Sequence, residues 1–413
     1  MADLHVKCFD MINPFVIASS PATRGADNVL KSAKSHPGAI VLRNFGHGMG
    51  GGSFIYPSAD SMYKGQPTFH SHAVGTQMPD TMNTLEQYCE EVKKIKSQLD
   101  SDIKLWVSIG HYSDIVKGGD WAKDWQRQAK ELALAGADAF ELHFNTPGVA
   151  VANDRQFNYY QLIYNCTKMI RSTVPTVPVM VKLAVEACDP LTAMRQAVSA
   201  GASAVGPTAR WKGFYFDLDW KTTEARPGAG YGGTQANPIV CYAVAEARNK
   251  GIDIPMFAGG GVFSYDQALR LIMSGSDMVQ LGALACAGGV GACRHLISQF
   301  EKWMDDHGYA DMDALKGDAL KLFNMDPAFA KERQNKLGSA YKTAQVDVKK
   351  CIGCQRCVDV CWYDGIQLTS AEDSKKKATK TDKCIGCGYC FQVCPTGALY
   401  VDKKSILKSA FED

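Results

Sequence analysis

A-G-A-D-A-F-E-L-H-F-N, Ala135–Asn145, reads as a helix end turning directly into a buried strand. Gly136 stands where a helix C-cap takes glycine. The run Ala139–Asn145 that follows is nearly continuous in apolar residues, as a strand covered on both faces should be. The phrase returns as A-G-A-S-A at Ala200–Ala204 and as S-G-S-D-M at Ser274–Met278. Working outward, the other runs of this kind are Phe15–Ser19, Ala39–Asn44, Lys104–Gly110, Val179–Leu183, Ala204–Thr208, Pro255–Gly260 and Met278–Ala283. Between them the apolar spacing changes to a helical period over Thr84–Leu99, Trp121–Ala135, Phe157–Thr173, Pro190–Ala200, Pro238–Lys250, Tyr265–Ser274 and Gly289–His307. Eight strand-then-helix units in about 300 residues predict an α/β chain folded as a (β/α)8 barrel. A doubly wound sheet is the alternative, but it rarely uses eight even repeats.

The C-terminal part has a different organisation. It reads C-I-G-C-Q-R-C-V-D-V-C from Cys351 and C-I-G-C-G-Y-C-F-Q-V-C-P from Cys384. Both runs have the spacing C-x2-C-x2-C-x3-C, the bacterial ferredoxin-like pattern for two [4Fe-4S] clusters. In that pattern the fourth cysteine of each run serves the other cluster. One set is then Cys351, Cys354, Cys357 and Cys394; the other is Cys384, Cys387, Cys390 and Cys361. Gly353 and Gly386 suit a loop that curls its N–H groups toward sulfide. A zinc ribbon would leave four of these cysteines unused, and a disulfide framework needs an oxidising compartment. Trp362 follows Cys361 where the common run has proline, whereas Pro395 follows Cys394 as usual. Ser370–Lys380 reads as a polar surface loop, whose lysines either steer an acidic redox partner or are simply solvated. The expected domains are a barrel over 1–308, a helical connector over 309–343 with Lys316–Phe323 docking on the barrel, and the two-cluster domain with its tail over 344–413.

Composition is that of an ordinary globular protein: 413 residues, 46% hydrophobic and 21% charged, with a net charge of +2. No preference for nucleic acid follows from that balance. The start, M-A-D-L-H-V-K, has no apolar signal core, and no stretch is apolar for long enough to span a bilayer. The seven cysteines outside the two runs are scattered without a pairing pattern, which fits a reducing cytoplasm.

Active sites of such barrels form at the C-terminal ends of the strands. After the seventh strand comes A-G-G-G-V-F-S, Ala258–Ser264, and after the eighth L-G-A-L-A, Leu281–Ala285. Small residues there let backbone N–H groups approach a phosphate, although a glycine run also serves as a plain turn. Lys182 ends the fifth strand in V-M-V-K-L and needs a partner, because an unpaired buried ammonium is costly. Either an anionic flavin edge or a carboxylate meets that need. Arg43 and Asn44 end the second strand, and Gly46–Gly52 follows with a formal G-x-G-x-x-G. The dinucleotide reading fails because no helix follows and no acidic residue stands at the required offset. A glycine loop over the barrel mouth fits better. His143, Asn145 and Thr146 close the fourth strand, and Tyr231–Pro238 forms a second polar stretch.

With these pieces in order, the chain resembles the dihydroorotate and dihydropyrimidine dehydrogenase family. Within it, the FMN and iron–sulfur subunits of two-subunit NAD-dependent dihydropyrimidine dehydrogenases are most similar. The resemblance rests on Ile12–Thr23, Gly136–Pro147, Val181–Leu183, Tyr231–Thr234, Gly259–Gly261 and the doubled cysteine motif. It implies FMN on the barrel, with Ala18 and Ser19 against the ring, Lys182 at its pyrimidine edge, and Arg43 and Asn145 nearby. Gly233, Gly259, Gly260, Gly261, Gly282 and Ala283 would line the phosphate or its approach. Substrate would meet His143, Arg210 and Asn237, unless Arg210 bridges to Asp217 or Asp219. Thr146 takes the place of the family's proton-donating cysteine or serine, and His143 or His111 would relay its proton. His143 and Ala209 replace amides that grip a pyrimidine in the family, and Arg43 replaces a lysine. The expected activity is therefore reduction of an activated C=C bond in a cyclic, non-pyrimidine conjugated carbonyl compound. Electrons would pass from the clusters to FMN and on to substrate. A true uracil or thymine dehydrogenase subunit and a non-catalytic electron-transfer subunit are the alternatives. Expected partners are a FAD- and NAD(P)H-binding subunit or a ferredoxin as donor, within an oligomer.

Overall fold

The computed structural model describes residues 2–43, 52–57, 68–74, 84–110, 119–144, 158–185, 188–209, 211–213, 229–324, 344–370 and 375–400. The chain divides into two compact units, Met1–Phe323 and Asn324–Asp413. The strands of the first unit are β1 (Phe15–Ile17), β2 (Ala39–Leu42), β3 (Gly52–Pro57), β4 (Thr68–Val74), β5 (Lys104–Ile109) and β6 (Ala139–Phe144). They continue as β7 (Val179–Ala184), β8 (Ala204–Thr208), β9 (Trp211–Gly213), β10 (Ala229–Gly233), β11 (Phe257–Gly259) and β12 (Met278–Leu281). Eight of them close a barrel in the order β1-β12-β11-β8-β7-β6-β5-β2, with every neighbouring pair parallel. These are the eight apolar runs of the sequence.

Its helices are α1 (Gly25–Ala33), α2 (Leu85–Gln98), α3 (Trp121–Ala135), α4 (Tyr159–Thr173), α5 (Pro190–Ser199), α6 (Asn237–Asn249), α7 (Tyr265–Met273) and α8 (Ala283–Asp306). Local chemistry sets several of their ends. Thr84 and Gln87 cap α2 reciprocally, each accepting the other's backbone N–H at 3.2 Å. Gly136 closes α3 in the left-handed conformation, as the opening phrase requires. Two features depart from the sequence reading. α1 was not foreseen, and α8 begins six residues before the expected Gly289, which interrupts it with φ 64° and ψ −162°.

Alternate strand residues point into the barrel. The lower interior is an apolar plug of Val16, Val41, Trp106, Met180, Phe257 and Met278, with Trp106 edge-on to Phe257 at 5.9 Å. The N-terminal segment closes this end: Met11 belongs to the plug, and Phe9 meets Trp106 at 6.3 Å. The segment after α8 packs on the barrel. It carries α9 (Met312–Leu315) and α10 (Leu320–Phe323). Lys316 pairs with buried Asp277 at 2.7 Å, and Gly317 and Ala319 donate to the carbonyls of Ile272 and Met273. Asp277 also accepts from Arg248 at 2.7 Å, which ties α6 to the foot of β12. The first compact unit thus runs to Phe323.

A second sheet in this unit, in the order β3-β4-β10-β9, is antiparallel throughout and was not foreseen. Gly52 and the residues up to Pro57 form its first strand, which agrees with rejecting a helix there. Gly46–Gly51 lie outside the described residues.

The second unit holds β13 (Gln345–Val346), β14 (Ile366–Ser370), β15 (Lys376–Lys380) and β16 (Leu399–Tyr400), with short helices α11 (Arg356–Asp359) and α12 (Tyr389–Val393). β13 pairs with β16 and β14 with β15, both antiparallel. The loop expected over Ser370–Lys380 is therefore corrected: Lys376–Lys380 is a strand. It is held by a five-pair ladder to β14 and by burial of Ala378, a single small residue that no apolar alternation reveals. Among the described residues no helix is long and apolar enough to cross a membrane.

Candidate functional site

One layer above the apolar plug, the barrel interior turns polar. Ser108 of β5, Glu141 of β6, Lys182 of β7 and Gln280 of β12 are all buried there. Each stands two residues beyond a plug residue or its strand equivalent, so the strand period aims all four inward. β12 and β6 lie opposite each other in the ring, with three strands between them on either side. Gln280 spans that diameter, and its Nε2 donates to Glu141 Oε2 at 2.6 Å. Lys182 Nζ stands 3.6 Å from Glu141 Oε1. Of the two partners proposed for Lys182, the carboxylate is therefore present in the fold itself. His143 follows Glu141 on the same face and sits in register with Lys182.

The sequence reading passed over Glu141, Ser108 and Gln280. Their signal was present, as the single polar residue in each of the runs A-F-E-L, L-W-V-S-I and M-V-Q-L. Among the described residues, Ser108 Oγ and Gln280 Oε1 have no hydrogen-bond partner. Buried polar atoms need one. A heterocycle with N–H and C=O edges, seated above this layer, would supply such partners, so the layer fits a flavin.

The glycine corner lies beside it. A Cβ on Gly261 would stand 2.4 Å from the carbonyl oxygen of Gly233 and 3.0 Å from the N of Asn237. The turn therefore lies backbone to backbone against the start of α6. Ala209 donates to the Gly259 carbonyl at 3.2 Å, and Ala18 to that of Leu281 at 3.1 Å. Gly233, Gly259, Gly260, Gly261, Gly282, Ala283 and Ala18 are thus neighbours on adjoining strand ends. Two helices start here. Gln267 closes the start of α7, accepting the Phe263 N–H at 2.7 Å. α8 begins at Ala283 with no side-chain cap among the described residues. Its first N–H groups suit a phosphate.

Ser19 follows Ala18, and the next residue, Ser20, caps a short turn by accepting from Ala22 N at 3.2 Å. Arg43 is held at the end of β2 by its backbone. Its N–H donates to Thr23 O at 3.1 Å, and its carbonyl accepts from the Tyr88 hydroxyl at 2.5 Å. Asn237 is held by its own amide. Its amide donates to the Gln267 carbonyl at 3.2 Å and accepts from the Cys241 thiol at 3.9 Å, and the residue is 1% exposed. The first bond ties α6 to α7, and the second lies within α6. Asn44, His111, Asn145, Thr146 and Arg210 lie outside the described residues.

In the second unit the eight cysteines surround two cavities. One is lined by Cys361, Cys384, Cys387 and Cys390. The other is lined by Cys351, Cys354, Cys357 and Cys394. These are the two crossed sets of the sequence reading. Four thiols around each cavity are the donor set of a [4Fe-4S] cluster. Backbone N–H groups already point at sulfur: Gly365 at Cys361, Ala378 at Cys351 and Ala398 at Cys394, at 3.1, 3.3 and 3.2 Å. Such bonds help set cluster potential. Burial pushes the Cys390 thiol up to about 11, and Cys384 and Cys387 beside it add to the rise. Iron binding must displace that proton. At Cys394 burial acts upward too, but hydrogen bonds from Leu399, Thr396 and Ala398 carry the thiol below its ordinary value.

Gly353 and Gly386 take φ of 71° and 74°, as their loops were expected to need. Two residues further on, Gly388 and Gln355 also have positive φ, 81° and 68°. Only Gln355 has a side chain to strain there. Gln355→Gly is expected to stabilise the second unit by about 0.5–1 kcal/mol. The thermal midpoint of cluster bleaching should rise, and an unchanged or lower midpoint would refute the strain.

Comparisons with known proteins agree with both units. Residues 64–304 match the family model described as dihydroorotate dehydrogenase, and residues 344–401 match that of the 4Fe-4S dicluster domain. The catalytic subunit of dihydroorotate dehydrogenase B (NAD(+)) from Pyrococcus abyssi is 25% identical over 323 residues, covering 78% of this chain and all of that one. The NAD-dependent dihydropyrimidine dehydrogenase subunit PreA of Escherichia coli K12 is 22% identical over 364 residues, covering 86% of this chain and 83% of the relative. The crystal structure of a dihydroorotate dehydrogenase from Eimeria tenella in complex with ferulenol shares the fold, with a TM-score of 0.58 at 14% identity over 75% of this chain and 86% of that one. The chain belongs to the dihydroorotate dehydrogenase family, as an iron–sulfur flavoprotein oxidoreductase acting on CH–CH groups, with FMN and two [4Fe-4S] clusters as its cofactors.

Proposed function

We propose that this enzyme reduces the activated C=C bond of a cyclic conjugated carbonyl compound that is not a pyrimidine. The observation that carries this is the pairing of His143 with Lys182 across β6 and β7, where the resemblance leads one to expect an amide side chain. An imidazole presents one donor and one acceptor at most, and cannot mirror a lactam edge as an amide does. Ala209, at the end of β8, has no polar side chain at the second position. A ring whose N–H and C=O groups lose such partners binds less well by about 1–3 kcal/mol for each.

When bound, the clusters carry single electrons and FMN turns them into hydride chemistry. The chain's own groups do the rest. Lys182 holds positive charge at the flavin's pyrimidine edge, with Glu141 and Gln280 fixing its place. Thr146 is the candidate proton donor by position, with His143 or His111 as its relay. An alcohol is a much weaker acid than a thiol, so a relay is needed. Ala18, Ser19, Arg43 and Asn145 would border the flavin, and Arg210 would pair with or polarise a substrate carbonyl. Reductant would come from a separate FAD- and NAD(P)H-binding subunit or a ferredoxin, within an oligomer. The names of the Pyrococcus and Escherichia relatives, each a subunit of an NAD-dependent enzyme, support this. The same Escherichia relative favours a second reading, in which the substrate is uracil or thymine.

The test is to reduce the holoenzyme with dithionite and add candidate acceptors. Cyclic enones should reoxidise the flavin, while uracil and thymine should fail. His143→Asn combined with Ala209→Asn should move activity toward pyrimidines by at least tenfold. Rapid uracil reduction by the unaltered enzyme would establish the second reading instead.

A further inference from the structure

The two members of the buried ion pair in the barrel stand at different depths. Lys182 is 5% exposed and Glu141 fully buried, with 3.6 Å between Nζ and Oε1. His143 is in register with Lys182 and follows Glu141 by two residues along β6, toward the C-terminal mouth. On its strand Lys182 is therefore nearer the mouth, and Glu141 lies deeper. A ligand seated above this layer meets the ammonium, not the carboxylate.

Glu141 is also pinned in place. Gln280, from the opposite wall, donates to its Oε2 at 2.6 Å. Among the described residues Oε1 accepts no hydrogen bond, so it meets Lys182 by charge alone. Packing does not ask for that charge. A glutamine would fill the same space and still accept from Gln280, and a buried ion pair is often no more stable than neutral residues of similar volume. The charge has its effect on a third group. An ammonium with a carboxylate beside it shows a weaker field than a bare one, and the difference is larger in a low-dielectric interior than in water.

Two-electron reduction of a flavin places one proton at N5 and leaves a negative charge over N1 and O2. The electrons arrive one at a time from the clusters. A bare ammonium at that edge would stabilise the anion strongly and make the reduced flavin a weaker hydride donor. We propose that Glu141 is a positioning residue that sets the flavin's reducing power: acting through Lys182, its carboxylate cancels part of the ammonium's field and keeps the flavin potential low. A low potential favours hydride delivery to a C=C bond over hydride removal from a CH–CH bond. The proposal deepens the function proposed above and rests on Lys182 standing at the flavin's pyrimidine edge.

The test is a spectroelectrochemical titration of the holoenzyme, with no substrate added. The flavin midpoint potential reads the ratio of reduced- to oxidised-FMN affinity. Glu141→Gln should raise that ratio at least tenfold, an upward shift of about 30 mV for a two-electron couple. Glu141→Asp shortens the arm but keeps the charge, and should stay within threefold of the unaltered enzyme. Lys182→Gln should lower the ratio at least tenfold. Glu141→Gln combined with Lys182→Gln removes both charges, so it folds even where one variant alone leaves a buried charge unpaired. Its ratio should return to within threefold of the unaltered enzyme. An unchanged or lowered ratio in Glu141→Gln would overturn the proposal. So would a rise in Glu141→Asp equal to that in Glu141→Gln, by assigning the effect to packing, or a double variant as low as Lys182→Gln. An unchanged ratio in Lys182→Gln would overturn the placement of Lys182 as well, which separates failure of that reading from failure of the role given to Glu141.

Discussion

Cys361→Ser is expected to cost the enzyme the cluster that Cys384, Cys387 and Cys390 share, while the cluster nearest to Cys361 in sequence survives. Cys361 is only four residues from Cys357, yet the two line different cavities. Gly365 donates to Cys361 Sγ at 3.1 Å, which holds the sulfur at its cavity rather than at its sequence neighbours'. A serine hydroxyl is a poor substitute for a thiolate toward iron. The expected product has about half the iron, and the remaining cubane signal should belong to the Cys351 set. Cys394→Ser should give the mirror result. Mössbauer and electron paramagnetic resonance spectra that distinguish the two clusters decide the matter. Loss of the Cys351 set alone in Cys361→Ser would show that the ligands do not cross.

The second large effect is expected at Glu141. Its side chain is fully buried and meets Lys182 on one oxygen and Gln280 on the other. Glu141→Ala leaves an ammonium and an amide N–H in the barrel interior without that partner. Removing one member of a buried ion pair costs about 3–5 kcal/mol. Glu141→Gln keeps the size and an oxygen for Gln280 but removes the charge, so its loss should be smaller. Denaturant unfolding of the two variants in the flavin-free state measures both. A loss under about 1 kcal/mol in Glu141→Ala would mean that Lys182 relies on other partners, in which case the buried pair is not what orders this layer.

The grouping of the cysteines around two cavities is a feature that local spacing carries. C-x2-C-x2-C places three sulfurs on one tight loop, and the next helical turn carries the fourth away. Both are local consequences of chain geometry, so the crossed sets could be named before any tertiary contact was known. The eight barrel strands were legible for a similar reason. A strand covered on both faces is apolar along nearly all its length, and the A-G-A-D-A type of helix stop marks where β6, β8 and β12 begin.

Residues that depend on distant partners were not legible. α1 has no side-chain cap of its own at Arg24. Glu91 of α2, 65 residues away in sequence, instead accepts from Ala26 N at 2.6 Å. The β3-β4-β10-β9 sheet pairs Thr68–His70 with Tyr231–Gly233, so neither segment announces the other. β15 was hidden because only Ala378 marks its buried side, whereas its ladder to β14 does most of the ordering.

By itself, then, the sequence determined the eight-stranded barrel and the two-cluster domain, because period, turn chemistry and cysteine spacing act within a few residues. Only the tertiary structure decided that Glu141, 139 residues from Gln280 in the chain, is joined to it across the barrel and stands beside Lys182. It also turned Asn237 inward onto Gln267. The physical reason is common to both: a buried polar group takes its role from what lies opposite it, and only the closed fold sets that neighbour.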